Sequence, residues 1–107
     1  MANLTPEPLL TVETIVGDDG VPVVALSGEL DSSTVGTLEQ HVRKLTAQSP
    51  PRVAFDLAAL TFIDSAGIAV LIATTAHVPA VEVRNPSAIL RRVLETSGLT
   101  TLLEIKP

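Results

Sequence analysis

The feature of this sequence that most constrains its fold is a regular alternation of two hydrophobic patterns. Short segments with apolar residues at every second position, typical of strands, are followed by longer segments with apolar residues spaced by three and four, typical of helices. Residues 9–16 form the first segment of the strand type. The first helical stripe consists of Val35, Leu38, Val42 and Leu45. This alternation predicts parallel strands joined by helical crossovers, and therefore an α/β domain.

The rest of the chain continues the alternation. Residues 17–20 predict a turn, and the apolar segment 21–26 predicts a second strand that pairs with the first as a hairpin and takes a more central place in the sheet. The further predictions are a polar loop at 27–33, a third strand at 53–57, a loop at 59–64 and a helix from Ala66 to about Thr75. A fourth strand is predicted at 81–83, and it is followed by a helix that begins at Pro86, ends at Gly98 and buries Ile89, Leu90, Val93 and Leu94. Residues 102–105 are predicted to form a last strand or a terminal tuck. The predicted fold is a small mixed sheet, with an N-terminal hairpin followed by parallel βαβ units and about three helices.

Composition limits the class of protein. The chain has 107 residues, of which 46% are hydrophobic, which suits one domain at residues 9–107 behind a flexible arm at residues 1–8. The net charge of −5 and the scattered lysines and arginines argue against binding to DNA or RNA. The absence of cysteine excludes disulfides, thiolate metal sites and cysteine nucleophiles, and it fits a reducing cytoplasm.

No targeting or membrane segment is expected either. The first residues are without basic side chains and without a long apolar run, so they do not form a signal peptide. The longest apolar run, residues 66–73, is much shorter than the roughly 18 residues that indicate a membrane span. We therefore expect a cytoplasmic protein.

The segment Ile63-Asp64-Ser65-Ala66-Gly67 places one hydroxyl where a strand-like run becomes a helix-like run. A serine at such a junction can cap the helix, or it can carry an anion, because the first turn of a helix presents unpaired N–H groups. Local features alone favour the cap. We expect Asp31, which also follows an apolar segment, to lie at the same end of the sheet as Asp64. Asp31, Ser32 and Ser33 are all suitable caps for the first helix.

Catalytic and metal sites have weaker support. His41 and His77 lie on different elements without a third ligand at useful spacing, so no metal site is expected. Asp31 and Asp64 could form an acid/base pair for catalysis, but roles as helix caps or as acidic loop residues explain them equally well. The serine turn resembles a hydrolase nucleophile elbow, but Ile63 stands where that elbow has a glycine. The glycines do not form a phosphate-binding loop, and no cofactor is indicated.

Three separated segments resemble the STAS family of anti-sigma-factor antagonists. They are Leu26-Ser27-Gly28-Glu29-Leu30-Asp31 with Thr34, Phe55-Asp56-Leu57 continued by residues 60–68, and Ser97-Gly98-Leu99. The resemblance covers roughly residues 10–105, and its most specific part is an acidic residue, a serine, a small residue and a glycine at the start of a helix. It implies a bacterial cytoplasmic switch protein that is not an enzyme. Such proteins bind a kinase-type anti-sigma factor when unphosphorylated and thereby release a sigma factor.

The resemblance also implies roles for individual residues. Ser65 would be phosphorylated by the serine kinase activity of the anti-sigma factor, and a metal-dependent phosphatase would reverse the modification. Asp31, Asp64, Ser65, Ala66 and Gly67 would contribute to the surface that binds the partner. A phosphate at the helix start would be tolerated by the fold, whereas beside Asp64 it would weaken a close interface.

The chain departs from the family in two places, and two alternative functions remain open. The stretch 66–86 is shorter than expected for the family, and the chain ends at Pro107, where many relatives continue into a helix. An apolar sheet face left uncovered by that helix would favour a homodimer. The alternatives are a STAS-like subunit of an assembly or transport complex that stays unphosphorylated, and a small serine-dependent enzyme. The serine at position 65 argues against the first alternative, and the incomplete elbow argues against the second.

Overall fold

A computed structural model describes residues 8–98 and 101–107. The described residues form five strands and three helices. In chain order these are β1 (Leu10–Val16), β2 (Pro22–Leu30), α1 (Val35–Thr46), β3 (Arg52–Ile63), α2 (Ser65–Thr74), β4 (Ala80–Arg84), α3 (Ala88–Thr96) and β5 (Glu104–Lys106). Most of the predicted arm at residues 1–8 and Leu99 of the third family segment lie outside the described residues.

The strands form one mixed sheet in the order β1-β2-β3-β4-β5. β1 and β2 pair antiparallel as a hairpin, and the following strands pair parallel. The three crossovers step across the sheet in the same direction. Since crossovers between parallel strands are right-handed as a rule, this order places the three helices on one face. The prediction of a small mixed α/β sheet is therefore confirmed.

The hydrophobic core lies between this face of the sheet and the helices. Val24, Phe55 and Val83 are neighbours across three strands and are fully buried. Leu71 of α2 and Leu94 of α3 are also fully buried on the helical side. Each large apolar side chain buried in this way stabilises the fold by about 1.5–3 kcal/mol.

The opposite face of the sheet carries charges. Glu82 alternates with the core residues of β4 and is only 3% exposed. Its carboxylate lies 2.6 Å from Arg52, 2.8 Å from Arg84 and 3.2 Å from Lys106. Burial opposes ionisation of this group, but the hydrogen bonds from Arg84, Lys106 and Arg52 outweigh it, and the pKa of Glu82 lies below its usual value. These charged residues do not supply the apolar surface that motivated the expectation of a homodimer.

β4 is one residue longer at each end than predicted, and two other strands are extended much further. β2 continues to Leu30 through the predicted loop 27–33, and β3 continues to Ile63 through the predicted loop 59–64. The two extensions pair with each other through an irregular register that is shifted next to Gly28. Gly28 has φ 103°, and a side chain there would collide with the Leu9 carbonyl. The polar residues and the glycine suggested loops, but pairing between the two extensions overrides these local preferences.

The last helix also differs from its prediction. α3 begins at Ala88 after the N-cap Ser87, so Pro86 precedes the helix. Ile89 is 76% exposed and is not part of the predicted buried stripe, whereas Leu90 and Leu94 are buried. The last strand is shifted to Glu104–Lys106, and Leu102 lies before it with 53% exposure.

Candidate functional site

The ends of β2 and β3 bring the two predicted acidic residues to one edge of the sheet. Leu30 and Ile63 are paired, and the N–H of Asp64 donates to the Leu30 carbonyl at 3.1 Å. Asp31 and Asp64 follow directly after these two residues. The prediction that both aspartates lie at the same end of the sheet is confirmed.

Asp64 is the N-cap of α2. Its Oδ1 accepts hydrogen bonds from the N–H of Ala66 at 2.9 Å and of Gly67 at 3.2 Å. Its Oδ2 accepts from the N–H of Ser32 at 3.3 Å. One carboxylate therefore fixes the start of α2 and ties it to the loop between β2 and α1. The negative charge of Asp64 is also favourable at this position, because the helix N-terminus attracts an anion.

Ser65 is the first helical residue, and its side chain is exposed. The interpretation of Ser65 as the cap is wrong, because Asp64 occupies the N-cap position and accepts the N–H bonds that a capping serine would accept. Among the residues that the structure describes, none forms a hydrogen bond with the Ser65 hydroxyl. This hydroxyl is therefore accessible at the surface of the site.

Gly67 sets how closely α2 approaches the strands. It is buried, and a Cβ built there would lie 2.6 Å from Leu30 Cγ and 2.9 Å from Ile63 Cγ1. Both distances are too short for real carbon contacts, so only glycine fits without movement of the neighbours. Ala66, next to it, is half-buried. Of the residues predicted for this site, Ser65 is thus the most accessible, and Gly67 acts through packing.

Asp31 organises the neighbouring loop. Its Oδ1 accepts from the Ser33 hydroxyl at 2.6 Å, from the Ser33 N–H at 2.9 Å and from the Thr34 N–H at 3.2 Å. The pKa of the Asp31 carboxyl lies below its usual value, mainly because the Ser33 hydroxyl donates to it. The negative charge of Asp31 is therefore stabilised by local donors and is retained at neutral pH.

Thr34, and not one of the predicted caps, is the N-cap residue of α1. Its side chain makes no capping bond; its Oγ1 instead accepts from the Asp31 N–H at 3.0 Å and donates to the Glu29 carbonyl at 2.9 Å. The residue thus closes the turn that holds Asp31. The spacing Asp-x-x-Thr was the available signal, since a threonine three residues after an aspartate can close such a turn.

No cation within the described ranges lies at salt-bridge distance from either aspartate. The site thus combines one free hydroxyl with two carboxylates that are held by N–H and hydroxyl donors. Within the described part of the chain there is no group of side chains suited to a metal ion, and neither His41 nor His77 belongs to one. The described helices are all too short to cross a bilayer.

Comparisons with known proteins agree with this geometry. A family model described as "Mlab, STAS domain" matches residues 14–104. The anti-sigma-F factor antagonist RsfB of Mycobacterium tuberculosis is 34% identical over 62 residues, which are 58% of this chain and 51% of that protein. The match therefore spans about half the length of this curated relative.

Solved structures are similar over most of the chain. An anti-sigma factor antagonist from Mycobacterium paratuberculosis superposes with a TM-score of 0.85 at 33% identity, over 92% of this chain and 86% of that one. The Bacillus antagonist SpoIIAA in its unphosphorylated form superposes with a TM-score of 0.75 at 21% identity, over 89% and 87% of the two chains. At that identity the second likeness bears on the fold alone.

Proposed function

We propose that this chain, which belongs to the STAS domain family, is an anti-sigma-factor antagonist whose binding is switched by phosphorylation of Ser65. One observation carries the proposal: Asp64 caps α2, so the exposed Ser65 hydroxyl is not needed to cap the helix. Similar proteins bear the name anti-sigma factor antagonist, which supports the antagonist role but not the phosphorylation of Ser65.

In the proposed cycle, the unphosphorylated chain binds a kinase-type anti-sigma factor and so releases a sigma factor. The anti-sigma factor phosphorylates Ser65, and a metal-dependent phosphatase removes the phosphate. The chain is a binding partner and a substrate in this cycle, and not an enzyme. The cycle would operate in the cytoplasm, where sigma factors act.

The electrostatics of the site support inactivation by phosphate. A phosphoryl group adds about −1.5 to −2 charges next to Asp64. The N–H groups of Ala66 and Gly67 already donate to Asp64, so they are not available as donors to a phosphate on Ser65. Within the chain, the helix dipole would compensate only part of the added charge. In a close interface, a penalty of about 3 kcal/mol would weaken binding roughly a hundredfold.

The fold should tolerate the modification. Ser65 lies at the surface, and the positive end of the helix dipole favours a negative charge in the first turn. The switch would then act through surface charge without unfolding of the domain. We expect Ser65→Glu to weaken partner binding while leaving the far-UV circular dichroism spectrum unchanged. Unfolding of this variant would contradict a switch based on surface charge.

A phosphorylation assay tests the function. The protein is incubated with ATP, magnesium and a panel of kinase-type anti-sigma factors, and its intact mass is measured. We expect a gain of one phosphoryl group with the cognate kinase. Ser65→Ala should abolish the gain, whereas Ser32→Ala, a change at an exposed serine of the neighbouring loop, should retain it. A gain that persists in Ser65→Ala would disprove the assignment.

A further inference from the structure

β3 extends well beyond its neighbour β4. β3 has 12 residues and β4 has five, and the two strands pair only from Arg52 to Asp56 of β3. The remaining residues, 57–63, pair with β2 on one side. In the described ranges no strand is paired with their other side beyond the pair of Asp56 and Arg84. We call residues 57–63, on the side away from β2, the β3 free edge.

β4 ends next to the point where this edge begins. Asp56 Oδ1 accepts from the Ala58 N–H at 3.0 Å and from the Asn85 side chain at 3.4 Å. β4 ends at Arg84, and Pro86, which carries no N–H, follows in the connection to α3. The chain therefore turns away from β3 just where the free edge begins. The length of the edge, about 20 Å, is sufficient for a strand of ordinary size.

The β3 free edge has an irregular register against β2, but it is without charges and prolines. Natural proteins protect open edges with charges, prolines or β-bulges, which prevent pairing with other chains. β1, at one border of the sheet, contains Glu13, and β5, at the other border, contains Glu104 and Lys106. Residues 57–63 contain neither a charged residue nor proline. Phe62, at the end nearest Ser65, is 46% exposed.

From these features we infer that the β3 free edge receives an extended, uncharged segment of the anti-sigma factor as an added strand, with Phe62 as the side-chain anchor. This inference rests on the proposed function. Its main support is continuity, because the edge leads directly into Asp64 and Ser65. A strand added here would hold the kinase next to the hydroxyl that it phosphorylates. Backbone hydrogen bonds would supply affinity, and the exposed aromatic ring would supply specificity.

Both charge and space disfavour a second copy of this chain as the occupant. The most extensive antiparallel pairing of two free edges is centred on Leu60. It would bring Asp64 of each copy toward Asp56 of the other, where β4 already pairs with β3. Like charges would approach each other there, which is destabilising, and β4 would limit the pairing. A shorter partner segment without acidic residues avoids both problems.

Hydrogen exchange of the complex tests the added strand directly. The probe is the kinase that phosphorylates Ser65 in the assay above, bound to the wild-type chain without ATP. We expect the amides of residues 57–63 that point away from β2 to exchange at least about tenfold more slowly in the complex. The outer edge of β1 serves as the control, and its amides should be unchanged. Unchanged exchange at residues 57–63 would overturn the inference.

A matched pair of lysine substitutions tests Phe62. Phe62→Lys places a charge on the free edge, and Ile15→Lys places one at a similarly exposed apolar position of β1 (55% exposed). We expect Phe62→Lys to raise the KM of the kinase for this chain about tenfold with kcat nearly unchanged, because only docking is lost. Ile15→Lys should change KM less than about twofold. An equal effect of both variants, or none from Phe62→Lys, would contradict the inference.

The outcomes separate this inference from the proposed function. Failure of every kinase to modify the wild-type chain would contradict the function itself. Normal phosphorylation of Phe62→Lys without protection of residues 57–63 would contradict only the added strand. Sedimentation of the chain alone addresses the second copy: a dimer that Phe62→Lys dissociates would assign the edge to self-association and overturn the inference, whereas a monomer supports it.

Discussion

The starts of α2 and α3 offer a comparison within one molecule. Each helix follows a parallel strand, and each has a serine at its beginning. Ser87 is the N-cap of α3, and its Oγ accepts from the Leu90 N–H at 3.2 Å. Ser65 lies one position further along, because Asp64 is the N-cap of α2. The preceding residue therefore decides whether the serine is a structural cap or a free hydroxyl.

The third helical residue differs as well. In α3 this residue is Leu90, which is buried in the core. In α2 it is Gly67, which lies directly against Leu30 and Ile63. α3 is thus anchored by an apolar side chain, whereas α2 is anchored by close approach of its backbone. This approach brings Ser65 near the ends of the two strands, and it makes the start of α2 sensitive to added volume.

The largest effect is expected from Gly67→Ala. The added Cβ would overlap with Leu30 and Ile63, and overpacking of this kind destabilises by about 1–3 kcal/mol. Urea unfolding measures the change. Gly36→Ala is the matched control, because a Cβ at Gly36 in α1 meets nothing within 4 Å. Because Gly36 lies in the first turn of α1, the control should change the unfolding free energy by less than about 0.5 kcal/mol. Equal stability of the two variants would show that close approach does not anchor α2.

Asp64→Ala should have the next largest effect. The substitution removes the acceptor for two N–H groups of α2 and for the Ser32 N–H. We expect a loss of about 1–2 kcal/mol of unfolding free energy. Asp64→Asn retains one oxygen for the two N–H groups of α2, but its NH2 group cannot accept from the Ser32 N–H, so it should restore part of this stability. If Asp64→Asn were as unstable as Asp64→Ala, the two hydrogen bonds to α2 would not be what stabilises the cap.

Ser87→Ala should destabilise the chain by about 1 kcal/mol, the usual value of a serine cap. The loss arises because the Leu90 N–H, which now bonds to Ser87 Oγ, would remain without its acceptor. Thermal unfolding checks this value, and Ser87→Asp, which keeps an acceptor at the same position, should retain the stability of the wild type. A Ser87→Ala variant as stable as the wild type would remove the contrast between the two serines.

Prediction from the sequence was more accurate for the sheet and the position of the site than for the roles of individual residues in capping and pairing. Hydrophobic periodicity was enough to predict the mixed sheet and the common edge of Asp31 and Asp64. It did not reveal the extensions of β2 and β3, because Gly28 and the polar residues around it form strands only through pairing with each other. Periodicity also could not show whether Asp64 or Ser65 is the N-cap of α2, since both residue types are good caps and the choice depends on backbone geometry. The single domain at residues 9–107 stays a prediction.

The smallest effect on stability is expected from Ser65→Ala, although its effect on function should be the greatest. The Ser65 hydroxyl is exposed and is not the cap, so its removal should change the unfolding free energy by less than about 0.5 kcal/mol. Urea unfolding of Ser65→Ala and Ser87→Ala under the same conditions measures the contrast directly. Phosphorylation should disappear in Ser65→Ala and persist in Ser87→Ala. If Ser65→Ala lost as much stability as Ser87→Ala, the hydroxyl would have a capping role after all, and the separation between cap and switch would fail.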